Sequence, residues 1–238
     1  MRRTAVVTGA GRGIGRAIVE ALATDAWVAG LDVAFQEGPG ATQARFEGDV
    51  RDAAAVARAV DSIAAERGGL DWVVCAAGIV RDRISWKLTD ADWDDVLAVN
   101  LTGAFHVARA AAPHLRRSPA GRLVFIGSIN GLRGKVGQAN YAAAKAGLVG
   151  LARTLALELA RDGVTVNVVA PGFVDTAMTA DLPERIRADA LARTPLGRAG
   201  RPADIAAAVR FLCADDAGFI TGAVLPVDGG QLLTGALP

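Results

Sequence analysis

Short apolar runs alternate along the chain with longer stretches in which apolar and polar residues recur at helical spacing. The short runs are apolar almost throughout, as in VTVNVVA at 164–170, which is typical of strands covered on both faces of a sheet. The predicted strands are Thr4–Thr8, Trp27–Asp32, Ala44–Glu47, Trp72–Cys75, Arg122–Ile126, Val164–Ala170 and Ala223–Val227.

The longer stretches predict helices, at about Ile14–Ala23, Ala53–Arg67, Asp92–Ala112, Tyr141–Ala160 and Ala203–Ala214. Strands alternating with helices through right-handed crossovers give a doubly wound parallel sheet. No linker, repeat or low-complexity tract divides the chain. We therefore predict an α/β fold with a single Rossmann-type domain over residues 1–238, built on a seven-stranded parallel sheet with helices on both faces.

One long segment, Gly172–Arg201, contains no predicted strand and carries Pro183, Pro195 and Gly197. A segment of that length in a compact domain is typical of a lid or a binding loop. We therefore expect residues 172–201 to cover a substrate.

Composition and charge exclude several classes of protein. Of 238 residues, 52% are apolar and 21% are charged, and 26 Lys plus Arg nearly balance 25 Asp plus Glu. These values are typical of a soluble globular protein and supply no surplus of cations for nucleic acid. Two cysteines cannot build a disulfide scaffold, no signal peptide is recognisable, and no apolar stretch approaches the roughly 18 residues of a membrane span. We predict a cytoplasmic protein with no metal site and no membrane or nucleic-acid partner.

The first predicted strand runs into TGAGRGIG at 8–15, and a helix follows. Glycines let the backbone approach a pyrophosphate, and a helix N-terminus offers free N–H groups. The spacing is not Gly-x-Gly-x-x-Gly but fits a Thr-Gly-x-x-x-Gly-x-Gly variant. A glycine-rich turn alone is a weak signal, yet strand, loop and helix follow in the required order. We predict dinucleotide binding by Gly9, Gly11, Arg12, Gly13, Ile14 and Gly15.

Asp32 ends the second predicted strand, 17 residues after Gly15. A carboxylate there can accept hydrogen bonds from the adenosine ribose hydroxyls and repel a 2′-phosphate. Two other interpretations stay open: an ordinary turn aspartate, and a 2′-phosphate site that uses Arg12. Because a charge directly at the ribose outweighs a mobile arginine, we predict NAD (NADH) as cofactor and disfavour NADP.

Tyr141 and Lys145 lie one helical turn apart, and Tyr141 is the only tyrosine of the chain. A phenol normally has a pKa near 10, but a nearby ammonium and a positively charged nicotinamide ring should lower that pKa. Ser128 follows the strand Arg122–Ile126, so its hydroxyl can point into the crevice and donate to a substrate oxygen. The alternative interpretation is that the three residues have no common function and are an ordinary core tyrosine, helix lysine and loop serine.

Seven strings together resemble the short-chain dehydrogenase/reductase family over nearly the whole chain: TGAGRGIG, Asp49-Val50, Ala77-Gly78, VNLTG at 99–103, Ser128, YAAAK at 141–145 and Pro171-Gly172. The resemblance implies that Tyr141 is the general acid/base and that Ser128 anchors the carbonyl oxygen. Lys145 would lower the pKa of Tyr141 and bind the nicotinamide ribose, and Asn100 would hold a water of the proton relay. Further implied cofactor contacts are Asp49, Val50, Ala77, Gly78, Pro171, Gly172, Val174 and Thr176, and further implied substrate contacts are Asn130 and Gln138.

One motif departs from that pattern. The family commonly has Asn-Asn-Ala-Gly or Asn-Ala-Ala-Gly after the fourth strand, where this chain has Cys75-Ala76-Ala77-Gly78. We expect the loss of a structural hydrogen bond without a change of reaction, and an inert buried thiol at Cys75. Asn100 by itself also fits a polar residue at a helix irregularity.

Within the family, the chain is similar to bacterial 3-oxoacyl-acyl-carrier-protein and acetoacetyl-CoA reductases, in GQANYAAAKAGLVG, TVNVVAPGFVDTAMT and DDAGFITGAVLPVDGG. Asp32 departs from the NADPH preference usual among the fatty-acid enzymes. Arg133 and Lys135, near the expected mouth of the site, could contact an acidic carrier protein or CoA, or could be solvated loop charges.

We therefore expect an NAD(H)-dependent oxidoreductase that interconverts a secondary alcohol and a ketone, with a 3-oxoacyl thioester as a candidate substrate. The alternatives are a dehydrogenase of a cyclic alcohol, polyol or sugar, and a non-catalytic dinucleotide sensor. A sugar-nucleotide epimerase would need a longer chain. The resemblance also implies a homotetramer through the helices at 92–112 and 141–160, where Ala142, Ala143, Ala144 and Ala146 would permit close packing.

Overall fold

The sheet has the predicted architecture. The protein is described by a computed structural model over residues 2–36, 42–180 and 183–233. Seven parallel strands lie in the order β3-β2-β1-β4-β5-β6-β7. They are β1 (Arg3–Thr8), β2 (Ala26–Asp32), β3 (Ala44–Glu47), β4 (Trp72–Cys75), β5 (Arg122–Ile126), β6 (Thr165–Pro171) and β7 (Val224–Val227). Strand order reverses between β1 and β4, and the crevice at the carboxyl ends of strands at such a point is where open α/β sheets bind ligands.

Helices cover both faces of the sheet. In chain order they are α1 (Gly13–Leu22), α2 (Ala53–Arg67), α3 (Asp90–Leu97), α4 (Ala104–Leu115), α5 (Asn130–Arg133), α6 (Ala139–Leu159), α7 (Ala177–Ala180), α8 (Glu184–Ala192) and α9 (Pro202–Cys213). Neighbouring residues of one strand point to opposite faces, so Val6 packs with α2, α4 and α6 while Val7 packs with α1 and α9. Two apolar cores therefore hold the sheet between two helical layers.

Local chemistry explains where several helices begin and end. The Asp52 carboxylate accepts hydrogen bonds from the N–H groups of Ala54 and Ala55 and caps α2, which ends at Gly68 in a left-handed conformation with φ 73°. The Thr89 hydroxyl accepts from the N–H of Asp92 and caps α3. These polar partners replace the backbone hydrogen bonds that a helix end lacks.

The helix predicted at 92–112 is interrupted. A π-helical segment, Ala98–Gly103, separates α3 from α4 and contains Asn100. The alternative interpretation of Asn100, a polar residue at a helix irregularity, is therefore correct about its backbone. Periodicity shows which face of a helix is apolar but does not reveal an inserted residue, so the helical pattern by itself predicted one unbroken helix at 92–112.

The segment at 172–201 is more ordered than the predicted loop. It contains the short helices α7 and α8, and its residues 181 and 182 lie outside the described residues. A buried glutamine, Gln231, accepts a hydrogen bond from the N–H of Phe173 at 2.9 Å and so fixes the start of this segment. None of the helices in the described part of the chain is long and apolar enough to cross a membrane.

Candidate active site

A cleft of about 1120 Å³ opens at the carboxyl ends of the strands, at the reversal of strand order. It is lined by every predicted site residue except Gly11 and Asn100, which lie directly behind lining residues. The segment at 172–201 supplies one wall through Phe173, Ile186 and Ala190. The tertiary structure thus gathers residues that the sequence scatters between positions 9 and 176.

The glycine-rich loop fits a phosphate group. Gly9 has φ +68°, and a Cβ atom there would lie 2.7 Å from the backbone nitrogen of Ala77, so only glycine allows the loop to pack against the end of β4. Arg12 precedes α1 and makes no side-chain cap. The first N–H groups of α1 are therefore left for a ligand at its positive end.

The same loop is joined to the turn after β2. The N–H of Gly11 donates to Oδ2 of Asp32 at 2.8 Å, and the N–H of Ala34 donates to Oδ1 at 3.4 Å. A Cβ atom on Gly11 would lie 2.0 Å from the Ala34 carbonyl oxygen. Gly11 stands at an unspecified position of the glycine motif, so sequence reasoning missed why it is glycine here. The contact holds the Asp32 carboxylate at the cleft, and each of its oxygens can accept a further hydrogen bond.

A guanidinium that sequence reasoning missed orients the carboxylate at the predicted adenine end of the cleft. Arg51 donates to Oδ2 of Asp49 from Nη2 at 2.6 Å and from Nε at 2.9 Å, and it also pairs with Asp95 at 3.4 Å. The hydrogen bond from Arg51 lowers the pKa of Asp49, so this carboxylate is ionised near neutral pH.

Ser128 and Tyr141 meet at the centre of the cleft. Ser128 follows β5 and Tyr141 lies in the first turn of α6, and the Ser128 hydroxyl acts to lower the pKa of the Tyr141 phenol. The N–H of Asn130 donates to the Ser128 Oγ at 3.1 Å. Burial raises the pKa of Tyr141 to about 12; the nearby Ser128 side chain opposes this rise, whereas the negative charge of Asp82 adds to it.

Lys145 is buried one turn further along α6. Its Nζ donates to the Ile126 carbonyl oxygen at 2.8 Å and lies 5.5 Å from the centroid of the Tyr141 ring. Burial lowers the pKa of Lys145 to about 8, because a charged ammonium loses its hydration. The expectation that the lysine would lower the pKa of the phenol is therefore wrong for the protein by itself, since the cost of burying a phenolate outweighs the neighbouring ammonium.

Asn100 projects from the π-helical segment toward the end of β4. Its Oδ1 accepts from the N–H of Ile79 at 2.8 Å and its Nδ2 donates to the Ile79 carbonyl oxygen at 2.9 Å. A Cβ atom on Gly78 would lie 3.4 Å from Asn100 Oδ1 and 3.6 Å from Lys145 Nζ, so the two side chains flank Gly78. The amide of Asn100 thus holds the chain beside Lys145, and its predicted role in a water relay stays a prediction from the resemblance.

Cys75, in the motif that differs from the family pattern, is packed inside the sheet. Cys75 is buried, its Sγ lies 3.8 Å from the Ala104 carbonyl oxygen, and burial raises its pKa to about 12. A thiol of that kind is inert near neutral pH, in agreement with the expectation from the sequence.

The predicted substrate contacts Asn130 and Gln138 lie side by side in the cleft, with Asn130 Nδ2 donating to Gln138 Oε1 at 3.0 Å. Arg133 and Lys135 line the rim. Arg133 is exposed but is not simply a solvated loop charge, because its Nη1 donates to the Gln231 carbonyl oxygen at 3.0 Å. Gln231 and Asp82 also line the cleft and were missed by sequence reasoning, since nothing in the local pattern distinguishes either of them.

Comparison with known proteins agrees with this geometry. A family model described as enoyl-(acyl carrier protein) reductase matches residues 9–231. The 3-oxoacyl-[acyl-carrier-protein] reductase MabA of Mycobacterium tuberculosis (strain ATCC 25618 / H37Rv) is 46% identical over 232 residues, covering 96% of this chain and 92% of that protein. The 3-oxoacyl-[acyl-carrier-protein] reductase FabG of Escherichia coli (strain K12) is 43% identical over 238 residues, covering 97% of this chain and 98% of that protein. The similarity therefore spans the cleft and the whole sheet.

Proposed function

Because the chain belongs to the short-chain dehydrogenase/reductase family, we propose that this enzyme reduces the 3-oxo group of an acyl thioester to a hydroxyl group with NADH. The observation that carries the proposal is that Ser128, Tyr141 and the buried Lys145 line one cleft, with the Lys145 Nζ 5.5 Å from the centroid of the Tyr141 ring. A protein that only binds a dinucleotide has no use for a half-buried phenol and a buried cation at the substrate end of the cleft. The names of the curated relatives supply the thioester class, a 3-oxoacyl group bound to acyl carrier protein.

Each residue of the site has its own role in the proposed reduction. The Tyr141 phenol is protonated at neutral pH, because its pKa is about 12, and it donates its proton to the carbonyl oxygen of the substrate. Ser128 donates a hydrogen bond to the same oxygen. A bound dihydronicotinamide would supply the hydride that the carbonyl carbon needs. The ammonium of Lys145 then stabilises the phenolate that remains on Tyr141.

The cofactor proposal rests on Asp32. Its carboxylate is held at the cleft by Gly11 and can accept hydrogen bonds from the two ribose hydroxyls of NADH. A 2′-phosphate in the same position would meet a like charge. Arg12 is exposed at the entrance to α1 and offers the competing site for a phosphate.

Replacing Asp32 with alanine should narrow the preference for NADH over NADPH. We expect the ratio of the two kcat/KM values to fall at least about ten-fold, because the variant loses both the repulsion of the phosphate and the hydrogen bonds to the ribose. The control is Glu47→Ala, which removes an equal charge from the exposed end of β3, the strand beside Asp32. A wild-type preference for NADPH would contradict the cofactor proposal and would make Arg12 the phosphate ligand.

A substrate series tests the proposed reaction. Purified protein would be given 3-oxoacyl thioesters of CoA and of acyl carrier protein, cyclic ketones and keto sugars, each with NADH and with NADPH. We expect the highest kcat/KM with a 3-oxoacyl thioester. Faster turnover of a cyclic ketone or a keto sugar would favour the alternative of a dehydrogenase for those compounds, which an NAD-binding Asp32 also fits. Binding of NADH without turnover of any carbonyl compound would indicate a sensor.

The resemblance to the family also leads us to propose a homotetramer built through α4 and α6. Ala143 and Ala146 of α6 are exposed and small, whereas Ala144 is buried and serves the core of the subunit. Leu157 of α6 and Phe105 of α4 expose 81% and 40% of their surfaces, and a contact between subunits through these helices would remove this apolar surface from water. We expect light scattering at micromolar concentration to give about four times the chain mass of 24.4 kDa. A mass equal to one chain would contradict the proposal.

A further inference from the structure

A row of side-chain hydrogen bonds runs along the substrate side of the cleft. Gln138 Nε2 donates to Oδ2 of Asp82 at 2.9 Å, and Gln138 Oε1 accepts from Asn130 Nδ2 at 3.0 Å. Asn130 Oδ1 in turn accepts from the Nε of Arg133 at 3.4 Å. Two neutral amides thus connect an acid to a guanidinium. We call this series of four hydrogen-bonded side chains the amide row.

The two ends of this amide row determine its polarity, that is, which group of each amide donates a hydrogen bond and which accepts one. An ionised carboxylate can only accept a hydrogen bond and a guanidinium can only donate one. Gln138 must therefore turn its NH2 group toward Asp82, which leaves its oxygen for Asn130. Asn130 must then present its NH2 group to Gln138 and its oxygen to Arg133. Each amide has two orientations of similar shape, and the charged ends select one of them.

Both ends are anchored to backbone at other points of the cleft. The segment that carries Asp82 pairs with the loop before α6, where the N–H of Arg83 donates to the Gly137 carbonyl oxygen at 2.8 Å. Arg133 is tied to the Gln231 carbonyl oxygen. Among the described residues neither Asp82 nor Arg133 forms a direct ion pair, so both charges act on the amides between them.

The amide row leads to the reacting atoms. The backbone N–H of Asn130 donates to the Oγ of Ser128, and Ser128 lines the same cleft as Tyr141 and acts on its pKa. A hydroxyl has one proton and two lone pairs, so an N–H placed on one lone pair leaves the proton of Ser128 free to point toward the phenol or the substrate oxygen. An amide row that is paired throughout keeps Asn130 in the position from which it does this.

We propose that Asp82 and Arg133 are positioning residues of the substrate site, which hold Gln138 and Asn130 in one orientation and thereby direct the Ser128 hydroxyl toward the substrate carbonyl. The inference rests on the proposed carbonyl reduction, because it assigns Ser128 the task of donating to that oxygen. It adds to that proposal two residues that contact the reacting groups only through others.

Variants that change the hydrogen-bonding polarity separate this role from a general effect of charge. Asp82→Asn can still accept from Gln138 through its amide oxygen, and we expect its kcat/KM to stay within about three-fold of wild type. Asp82→Lys can only donate, so Gln138 would have to turn and its NH2 group would then oppose that of Asn130. We expect Asp82→Lys to lower kcat/KM roughly ten- to hundred-fold, the usual effect of a mispaired buried polar group.

A second substitution should rescue that loss. Glutamine places its amide atoms where the Nε of arginine lies and can either donate or accept. In Asp82→Lys/Arg133→Gln the whole amide row can reverse its polarity and remain paired, so we expect at least a five-fold recovery of kcat/KM over Asp82→Lys. Arg133→Gln alone can still donate to Asn130 but loses the contact with the Gln231 carbonyl oxygen, so we expect a smaller loss of kcat/KM than in Asp82→Lys. Asp94→Lys, which makes the same charge change at an exposed position of α3, is the matched control and should have no effect.

The measurements are kcat and KM for whichever carbonyl compound the wild type reduces, the Kd for NADH from energy transfer by tryptophan, and Tm. We expect the loss in Asp82→Lys to fall on kcat/KM with the Kd for NADH unchanged. Equal losses in Asp82→Asn and Asp82→Lys, or no recovery in the double variant, would overturn the proposal. If the wild type reduces no carbonyl compound, the proposed function fails.

In that case Tm tests the amide row by itself. A lower Tm in Asp82→Lys that recovers in the double variant supports the proposed polarity of the amide row, and an unchanged Tm refutes it.

Discussion

Replacing Tyr141 with phenylalanine is expected to lower kcat by at least about a hundred-fold while NADH binds nearly as well as before. The substitution removes one oxygen and keeps the ring, so the buried packing of α6 against the cleft is preserved. General acid catalysis by a positioned side chain typically contributes 10²–10⁴-fold, and no other described phenol can replace it because Tyr141 is the only tyrosine of the chain. The hydroxyl of Ser128 would remain but would lack its partner.

The uniqueness of Tyr141 also gives a direct measurement of its ionisation. Absorbance near 295 nm, taken as the difference between the wild type and Tyr141→Phe, reports this phenol above the background of four tryptophans. We expect the phenol of the free protein to ionise only near pH 12, as its burial indicates, and at lower pH once NAD adds a positive charge. The control is Ser85→Ala, which removes a hydroxyl from an exposed site. Turnover at the wild-type rate in Tyr141→Phe would exclude the proposed proton transfer.

Replacing Lys145 with methionine is expected to lower kcat/KM at least about a hundred-fold. Without the ammonium, the phenolate left on Tyr141 after proton transfer loses the positive charge that lies 5.5 Å from the centroid of its ring. In the wild type the same group should cause the rate of reduction to fall as pH rises through about 8, because Lys145 loses its charge there. The small residual rate of the variant should not show that decrease.

The same substitution is expected to make the protein slightly more stable. Lys145 has a pKa of about 8 when folded and an ordinary pKa of 10.5, so the unfolded chain binds more protons between these values and stability rises with pH across that range. Below pH 8 the buried charge costs about 3 kcal/mol by this linkage, at about 1.4 kcal/mol for each pH unit. Methionine removes that cost but leaves the Ile126 carbonyl oxygen without its donor, which costs about 1–3 kcal/mol.

At pH 7 we therefore expect the free energy of unfolding of Lys145→Met to rise by about 1 kcal/mol, or Tm by about 2–4 °C. Thermal unfolding followed at pH 7 and at pH 10 checks both the size and the sign, because the advantage of the variant should shrink at the higher pH. Lys87→Met is the control, since it removes an exposed lysine. A variant less stable than the wild type at pH 7 would show that Lys145 stabilises the fold, because its hydrogen bond would then outweigh the free-energy cost of burying its ammonium.

The fold was predictable because its signals are local. A strand buried on both faces, such as β6, must be apolar over consecutive residues, and a helix such as α2 must carry a cap and an apolar stripe, so both leave a pattern in the sequence. The spacing of Tyr141 and Lys145 is equally local, because one helical turn fixes their separation. A structure was not needed to place these two side chains on one face of α6.

Other features depend on residues that are distant in sequence. The pKa of Tyr141 rises because the whole cleft buries it, whereas the pattern around it indicated only the neighbouring lysine and predicted the opposite direction. The π-helical segment at Asn100 also has a distant partner, since the amide of Asn100 bonds with Ile79 across 21 positions. Neither outcome is encoded within one turn or one strand.

The sequence by itself determined the order of strands and helices, the glycine-rich loop, the acid at the end of β2 and the helical pair of Tyr141 and Lys145. Only the tertiary structure decided that Gly11 must be glycine, because the turn after β2 approaches it, and that Asp82 bonds with Gln138 in the cleft across 56 positions. The physical reason is the separation along the chain over which each kind of interaction acts. Periodicity and capping act between residues a few positions apart, whereas burial and the pairing of polar groups depend on which strands meet at the cleft.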